Sequence, residues 1–365
     1  MRITILTQPL RANYGGILQN YAITQVLIGL GHTPTTIEKD YHQHISIIRL
    51  IIEFPKRFFA KYILKKREYI LSERANNIYQ QKRRKLTLPF IREYINNTFI
   101  TDYNSIDVSL YDAFIVGSDQ VWRPLYNWGE IEKMFLSFIP KEKKIKRISY
   151  AASFGTDQWE YTPEETTKCK ELLSRFDAVS VRELDGIDLC KKYFKRENVV
   201  CVLDPTLLLD RKDYEKLCEK VPANEKNILC AYILDLNDDI EHKLKTIADK
   251  KKLKLKIVSA DNNCTLTVPE WLAMFRDAKC IITDSFHGTV FSIIFNKEFY
   301  SIANIERGGS RFTSLLSQFD LISRLYTSIN EISLVEDTII NWDTINSKRD
   351  ELKEFSINFL ISSLI

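Results

Sequence analysis

Short apolar segments that end at a polar or small residue recur along this chain, and they constrain its fold more than any other feature. Three of them are Ala113–Val116, Ala178–Val181 and Cys280–Thr283. Segments with the 3.6-residue periodicity of helices separate them. Buried strands that alternate with helices are typical of parallel sheets. The sequence therefore predicts an α/β protein whose strand ends line a cleft.

The length of the chain predicts two domains. At 365 residues it exceeds the usual size of one domain, and its 45% hydrophobic content is sufficient for two cores. We place the first domain at residues 1–205 and the second at 206–343. The amphipathic tail, 344–365, is expected to form a helix that packs back across the first domain.

The start of the chain predicts a βαβ unit. Ile3–Thr7 has the pattern of a strand, the turn with Gly15 and Gly16 follows it, a helical pattern begins at Ile17, and Ile37–Lys39 is a second strand. Two glycines at such a turn let backbone N–H groups approach a ligand closely. The alternative is a tight turn that needs glycine for its backbone conformation alone.

Residues 45–100 interrupt this pattern. Within them, 56–85 carry eleven Lys or Arg against two Glu, interleaved with apolar side chains. This indicates one or two basic amphipathic helices inserted into the first domain. Such helices bind anionic lipid, so residues 47–85 are a candidate contact with a membrane surface. The alternative is a solvated helix that covers the first domain.

Composition excludes several classes of protein. A net charge of +4 is too small for a global nucleic-acid footprint. The seven cysteines have neither disulfide-framework nor metal-ligand spacing, which is typical of thiols in a reducing compartment. We find no signal peptide and no run of the ~18 apolar residues that a spanning helix needs. We expect a cytoplasmic protein, at most peripheral on the inner face of the membrane, without metal or cofactor.

The apolar segment that ends at position 283 leads into the strongest catalytic signal. Asp284, Ser285, His287, Gly288 and Thr289 follow it directly. Ligands of open α/β sheets bind at the carboxyl ends of strands, where free N–H groups at the start of the next helix favour anions. An imidazole there can act as general acid or base near neutral pH. We predict His287 at the mouth of a catalytic site; the alternative is a buried histidine that donates to a backbone carbonyl.

A second polar turn follows another predicted strand, at Gly117–Trp122. A helix N-cap needs only one of Ser118 and Asp119, so Asp119 is a candidate to hold or deprotonate a sugar hydroxyl. Trp122 offers a flat apolar face for stacking on a sugar ring, although a tryptophan is more often core.

Two arginines are candidates for anion binding. Arg182 follows an apolar strand, and Arg311 lies in a flexible-looking loop with two glycines. A guanidinium at such a position suits bidentate capture of phosphate or carboxylate. The alternatives are a surface salt bridge of Arg182 with Glu183 and a solvated loop arginine at position 311.

Six segments together, in this order, resemble the polysaccharide pyruvyl transferase family, and they extend from residue 3 to about 315. They are Asn-Tyr-Gly-Gly-x-Leu-Gln, Gly-Ser-Asp-Gln-Val-Trp, Ser-Tyr-Ala-Ala-Ser-Phe-Gly, Ser-Val-Arg-Glu, Leu-Asp-Pro-Thr and Thr-Asp-Ser-Phe-His-Gly. The resemblance implies two Rossmann-like domains that face a central cleft, as in GT-B glycosyltransferases. It also implies transfer of the pyruvyl group of phosphoenolpyruvate onto two hydroxyls of a sugar in a surface polysaccharide precursor, which gives a cyclic ketal and phosphate.

On this resemblance His287 is the acid, and Asp119 or Glu183 orients and deprotonates the acceptor, which is a glycan or a lipid-linked saccharide. The residues expected to bind phosphoenolpyruvate are Arg182, Asp284, Ser285, Gly288, Thr289 and Arg311. Those expected to bind the acceptor are Asn13, Gly15, Gly16, Gln19, Ser118, Gln120, Trp122, Ser153 and Phe154.

One position departs from the family pattern and keeps two other functions open. Many members have an Arg near the motif histidine, whereas this chain has Ser285-Phe286-His287. A cation for the donor must then come from Arg182 and Arg311. The departure also leaves open a non-catalytic protein that binds an anionic metabolite or glycan. A nucleotide-sugar glycosyltransferase of the GT-B type is the other alternative, with Glu306 as its ribose-binding acid.

Overall fold

The structure is a computed structural model. It describes residues 1–11, 13–39, 72–127, 129–223, 225, 227–259, 265–303, 308–332 and 339–365, with the backbone only for 72–80.

The first domain is built on a parallel sheet of seven strands in the order β3-β2-β1-β4-β5-β6-β7. The strands are β1 (Arg2–Leu6), β2 (Thr33–Lys39), β3 (Asn97–Ile100), β4 (Ala113–Val116), β5 (Lys146–Ala152), β6 (Ala178–Val181) and β7 (Val200–Cys201). The order reverses at β1, as in doubly wound α/β folds, in which ligands bind at the carboxyl ends of the strands beside such a reversal.

The second domain is built on a parallel sheet of five strands in the order β12-β11-β10-β8-β9. The strands are β8 (Ile228–Ile233), β9 (Lys254–Ser259), β10 (Cys280–Thr283), β11 (Glu298–Ile302) and β12 (Leu325–Tyr326). Strands β8 and β10 are buried along their whole length, because helices cover the sheet. The predicted α/β class with parallel sheets is confirmed.

Helices connect the strands of both sheets. They are α1 (Tyr14–Gly29), α2 (Ser72–Tyr94), α3 (Pro163–Leu173), α4 (Leu184–Leu189), α5 (Arg211–Leu217), α6 (Asp238–Lys251), α7 (Val268–Asp277), α8 (Phe286–Ile294), α9 (Ser310–Gln318) and α10 (Trp342–Leu364). In the part of the chain that the structure describes, every helix is too short or too polar to cross a membrane.

Helix α1 begins three residues earlier than the sequence pattern predicted. Asn13 has an extended backbone and occupies the N-cap position, so Gly15 lies inside the first turn of the helix. The apolar pattern from Ile17 onward could not show this, because glycine is a poor helix former. The glycine is therefore a helical residue, and the reason for its presence lies in what it contacts.

The predicted basic insert is described only in its second half. Residues 40–71 lie outside the described part of the chain. In helix α2, Phe90 and Tyr94 pack their rings on Tyr21 of α1, and the Thr87 hydroxyl donates to the carbonyl of Arg11. The end of the predicted insert was wrong, since Asn97–Ile100 pairs with β2 as an edge strand.

The C-terminal helix α10 lies against the first domain. The backbone N–H of Leu203 donates to the Ser356 hydroxyl over 3.0 Å, and the Phe359 ring contacts Tyr150 of β5. The side chain of Ser356 is buried there. The chain thus returns to its first sheet after it has completed the second.

The two domains meet along the start of α1 and the start of α4. Tyr14 stacks on Trp271 of α7 with ring centroids 5.4 Å apart, and its hydroxyl donates to the Leu266 carbonyl. The N–H of Leu184 donates to the Ser314 hydroxyl of α9 over 2.9 Å. These contacts place the strand ends of the first sheet opposite helices α8 and α9 of the second domain.

Candidate active site

His287 lies between the two domains. It occupies the first turn of α8, which begins after the N-cap residue Ser285, whose hydroxyl accepts from the N–H of Gly288. The His287 side chain reaches α1 of the first domain, where a Cβ added to Gly15 would lie 2.0 Å from Nδ1. The residue is only 7% exposed. The expected place at the mouth of a site is therefore wrong, because the opposing domain covers the ring.

A buried network of charges surrounds this histidine. The Asp204 carboxylate, after β7, accepts from Arg182 Nη1 over 3.2 Å and from the amide of Gln19. Oδ2 of Asp204 lies 3.7 Å from His287 Nε2. Arg182 also donates from Nε to Glu183 over 2.7 Å. The Arg182–Glu183 pair is thus buried, and the alternative of a surface salt bridge is wrong.

The charges of this network stabilise one another. Burial alone raises the pKa of Asp204, but the interaction with His287 and the charge of Arg182 hold it well below its ordinary value. Burial lowers the pKa of Arg182, yet the charges of Glu183, Asp204 and Asp119 raise it above its ordinary value. Each group thus favours the charged form of the other.

Arg311 joins the network from the second domain. It lies in helix α9 and is buried, so the predicted flexible loop is wrong. Its guanidinium lies 5.7 Å from the centroid of the Phe286 ring, and that of Arg182 lies 4.5 Å from the same centroid. Burial and the charge of Arg182 lower the pKa of Arg311 to about 10. Two cations from different domains thus meet at one aromatic ring.

The space between these groups is small. Arg182, Asp204, Phe286 and Arg311 line a cavity of about 10 Å³, which has room for about one water molecule. Arg182 Nη2 and His287 Nε2 are buried without a hydrogen-bond partner among the described residues. Buried donors of this kind are costly unless a ligand or water pairs them.

The turn after β4 brings Asp119 to the same region. Its backbone is left-handed, with a φ of 67°, and its carbonyl accepts from the N–H of Ser153. The carboxylate points to the first turn of α1, where Oδ2 would lie 3.6 Å from a Cβ on Gly16. The exposed Asn13 lies beside it.

Gln120 and Ser118 flank Asp119 and bind parts of the first domain. Gln120 Oε1 accepts from Arg123 Nη1 over 3.2 Å. The carbonyl of Ser118 accepts from the Thr7 hydroxyl, while its own hydroxyl is buried without a partner in the described chain. The Ser118 hydroxyl is thus a polar atom left for a ligand.

Trp122 and Phe154 cannot serve as a platform for a sugar ring. Trp122 is 0% exposed, stacks on Phe135 at 5.0 Å, and donates from its indole to the Met134 carbonyl. Phe154 packs against it in the same core, and the Ser153 hydroxyl accepts from the N–H of Gly155. The expected acceptor contacts of Trp122 and Phe154 are therefore wrong, because both side chains are buried in the core of the first domain.

Replacement of Trp122 by Ala is accordingly expected to destabilise the fold. Loss of a fully buried tryptophan costs roughly 3–5 kcal/mol of unfolding free energy, and chemical denaturation measures it. Trp159, which is half-buried at the edge of the same cluster, is the control, and its Ala variant should lose less. A Trp122→Ala protein of normal stability with weakened acceptor binding would restore the ligand-platform hypothesis.

Three residues that follow β10 make contacts that stabilise the second domain around the site. The Asp284 carboxylate accepts from the N–H groups of Leu234 and Asp235, at 2.6 and 3.0 Å, and so joins the ends of β10 and β8. Thr289 bonds the hydroxyl of Ser301. A Cβ on Gly288 would lie 2.2 Å from the Thr283 hydroxyl. These contacts are internal to the second domain and give the three residues a structural role.

The structure brings together the three expected catalytic residues, His287, Asp119 and Glu183, with two of the expected donor-binding residues, Arg182 and Arg311. Three of the expected acceptor-binding residues, Gly15, Gly16 and Gln19, lie beside them. Sequence reasoning missed Asp204 and Phe286 as site residues. Asp204 gave a signal, because it is a polar residue at a predicted strand end, whereas Phe286 gave none. Among the described residues, no cluster of His, Cys, Asp or Glu side chains is arranged to hold a metal ion.

Two parallel α/β domains that enclose a charged site define a protein of the GT-B type. The sequence model of the polysaccharide pyruvyl transferases matches residues 13–306. The chain therefore belongs to the polysaccharide pyruvyl transferase family. No curated protein sequence matches it.

Solved structures support the fold. UGT89C1 of Arabidopsis thaliana in complex with UDP is similar at 8% identity over 100% of both chains, with a TM-score of 0.51. The same protein complexed with UDP-L-rhamnose gives 7% identity over 99% of this chain and 98% of that one, with a TM-score of 0.52. At such identities the likeness concerns the fold alone.

Proposed function

We propose that this polysaccharide pyruvyltransferase uses phosphoenolpyruvate as donor and forms a cyclic ketal on two hydroxyls of a sugar. The observation that carries the proposal is the meeting of Arg182 and Arg311 at Phe286, one helical residue from His287. Phosphoenolpyruvate carries a phosphate and a carboxylate, and buried guanidinium groups suit both. Ser285 stands where many family members have a cation, and it caps α8 instead.

The chemistry requires an acid and a base. A proton added to the methylene carbon of the donor creates a positive centre at C2, which one sugar hydroxyl attacks. The first hydroxyl loses its proton to the base as its oxygen bonds to C2. The bond from C2 to the phosphate oxygen then breaks, and the second hydroxyl closes the ketal with loss of its own proton. Of the two hydroxyl protons, one restores the acid and the other leaves on phosphate. We assign the first proton to His287, since its ring lies 5.3 Å from the Phe286 ring at which both guanidinium groups meet.

Asp119 is the better candidate for the base. Glu183 is held by Arg182 at 2.7 Å, whereas the Asp119 carboxylate points to the first turn of α1, beside the exposed Asn13. An acceptor hydroxyl at this turn would be within reach of Asp119. The acceptor itself is a sugar of a surface polysaccharide precursor, free or lipid-linked.

We infer that substrates enter by separation of the domains. A cavity of about 10 Å³ is too small for phosphoenolpyruvate, and Leu184 and Ser314 are hydrogen-bonded across the domain boundary. Closure over bound donor would exclude water from a reactive intermediate, as in other enzymes whose domains close.

Phosphate release from phosphoenolpyruvate tests the proposal. We expect release that depends on a galactose-type acceptor, supplied as an aryl glycoside or lipid-linked, with a product mass gain equal to pyruvate minus water. Absence of release with every acceptor, together with a rise in melting temperature on addition of a nucleotide sugar, would favour a glycosyltransferase. Its expected ribose-binding residue, Glu306, lies outside the described residues.

Membrane attachment remains a separate proposal. Arg83 of α2 is buried and lies over the Tyr14 ring at 5.1 Å, so this part of the basic segment covers the first domain. Lys82 and Lys85 of the same helix are exposed, and residues 47–71 lie outside the described chain, so the candidate lipid contact over 47–85 stays a proposal.

A further inference from the structure

A buried carboxylate with no part in the proposed proton transfers lies directly behind His287. The Asp204 side chain is 1% exposed. Its Oδ1 accepts from the N–H and the hydroxyl of Thr206, at 3.0 and 2.6 Å. Its Oδ2 accepts from Arg182 and Gln19 and faces His287. Four residues from four segments of the chain thus contact a single carboxylate.

The two nitrogens of the His287 ring have different surroundings. Nε2 lies 3.7 Å from the Asp204 carboxylate, which is an ion-pair distance rather than a hydrogen bond, and it is buried without a hydrogen-bond partner among the described residues. Nδ1 lies over Gly15, in the first turn of α1, at a place where any side chain would collide with it. A neighbouring carboxylate favours the tautomer with its proton on the facing nitrogen. In neutral His287 the proton therefore belongs on Nε2, and Nδ1 is the unprotonated nitrogen, which faces Gly15 in the first turn of α1.

We propose that Asp204 is a positioning residue: its charge favours the His287 tautomer with the proton on Nε2, and its hydrogen bond holds the guanidinium of Arg182, so that Nδ1 is the reacting nitrogen. The inference rests on the proposed function only where it predicts a change in kcat. The tautomer and the orientation of the ring are properties of the protein without substrate. Gln19 extends the same support to helix α1 through its amide.

The kinetic test uses Asp204→Asn, which keeps the shape of the side chain and removes its charge. We expect kcat to fall by at least about 10-fold. The loss should be smaller than the ~10²–10⁴-fold that removal of the general acid itself costs. In a His287→Gln background the same substitution should change kcat little, because residues that act as a unit are not additive. Equal losses in both backgrounds would show a merely structural role and overturn the proposal.

The spectroscopic test needs no activity. The chain has five histidines, so the imidazole ¹⁵N signals of His287 are assigned by their disappearance in His287→Gln. We expect neutral His287 to be protonated at Nε2 in the wild-type protein and to lose this preference in Asp204→Asn. A wild-type proton on Nδ1 would overturn the inference.

Asp320→Asn is the matched control. The Asp320 side chain is 78% exposed and pairs only with Lys348 among the described residues, so both measurements should stay at wild-type values. A wild-type protein that shows the Nε2 tautomer but never releases phosphate would refute the proposed function and leave the positioning role supported. If the wild-type enzyme releases phosphate and the Asp204→Asn variant keeps a normal kcat, the positioning role is refuted and the proposed function stays supported.

Discussion

Replacement of His287 by Gln is expected to lower turnover by about 10²–10⁴-fold, the usual contribution of a positioned general acid. Glutamine fills much of the same volume but cannot deliver a proton. The two guanidinium groups at Phe286 remain, so donor binding should change much less than kcat. Steady-state phosphate release, with kcat and KM for phosphoenolpyruvate determined separately, measures the effect.

His242→Gln provides the control for this substitution. His242 is exposed on helix α6 and should keep wild-type kinetics. A folded His287→Gln protein with near-normal turnover would remove His287 from the acid role. A large rise in KM with unchanged kcat would instead assign the ring to donor binding.

The sequence predicted the strands well because their local signal is strong. Ala113–Val116, Ala178–Val181 and Cys280–Thr283 are strands with the predicted bounds. Each is an apolar run with a polar or small residue after it, and a strand buried on both faces needs no more than that. Polar residues that follow such strands lie at the carboxyl edge of a sheet, where ligands bind. For this reason the sequence identified Asp119, Arg182 and His287 as candidate site residues.

The direction of side chains in loops could not be predicted in the same way. Asp119 has a left-handed backbone conformation. A few polar residues tolerate this conformation, but no local sequence pattern predicts it here. Asp119 reaches the site, whereas Trp122 lies in the core. Both are typical binding residues by type, so residue type alone does not separate their roles.

Arg311 illustrates a different limit. Gly308 and Gly309 before it predicted a loop, but Phe312, Leu315, Leu316 and Phe319 have the spacing of a helix face and are buried. The apolar pattern was the stronger signal, because burial of that face stabilises the helix despite the glycines. The partnership of Asp204 with His287 depends on two domains meeting, and no local pattern carries that information.

The role of Gly15 depends on the same contact between domains and leads to the second large effect. Gly15→Ala is expected to abolish most turnover, by about 10²-fold or more if the imidazole is displaced from its place as acid. The added Cβ would lie 2.0 Å from Nδ1 and 2.2 Å from Cγ of His287. Since neither distance is tolerable, the ring must rotate or the domains must separate. Phosphate release and thermal unfolding measure the two consequences.

Gly29→Ala, in the last position of the same helix, controls for the change in backbone entropy. A Cβ there meets nothing within 4 Å, so we expect normal turnover and equal or slightly higher stability. In a His287→Ala background, Gly15→Ala should no longer lower the melting temperature, because the colliding ring is absent. If Gly15→Ala destabilises that background as much as the wild type, the cost arises within the first domain, and the contact between Gly15 and His287 does not control the site.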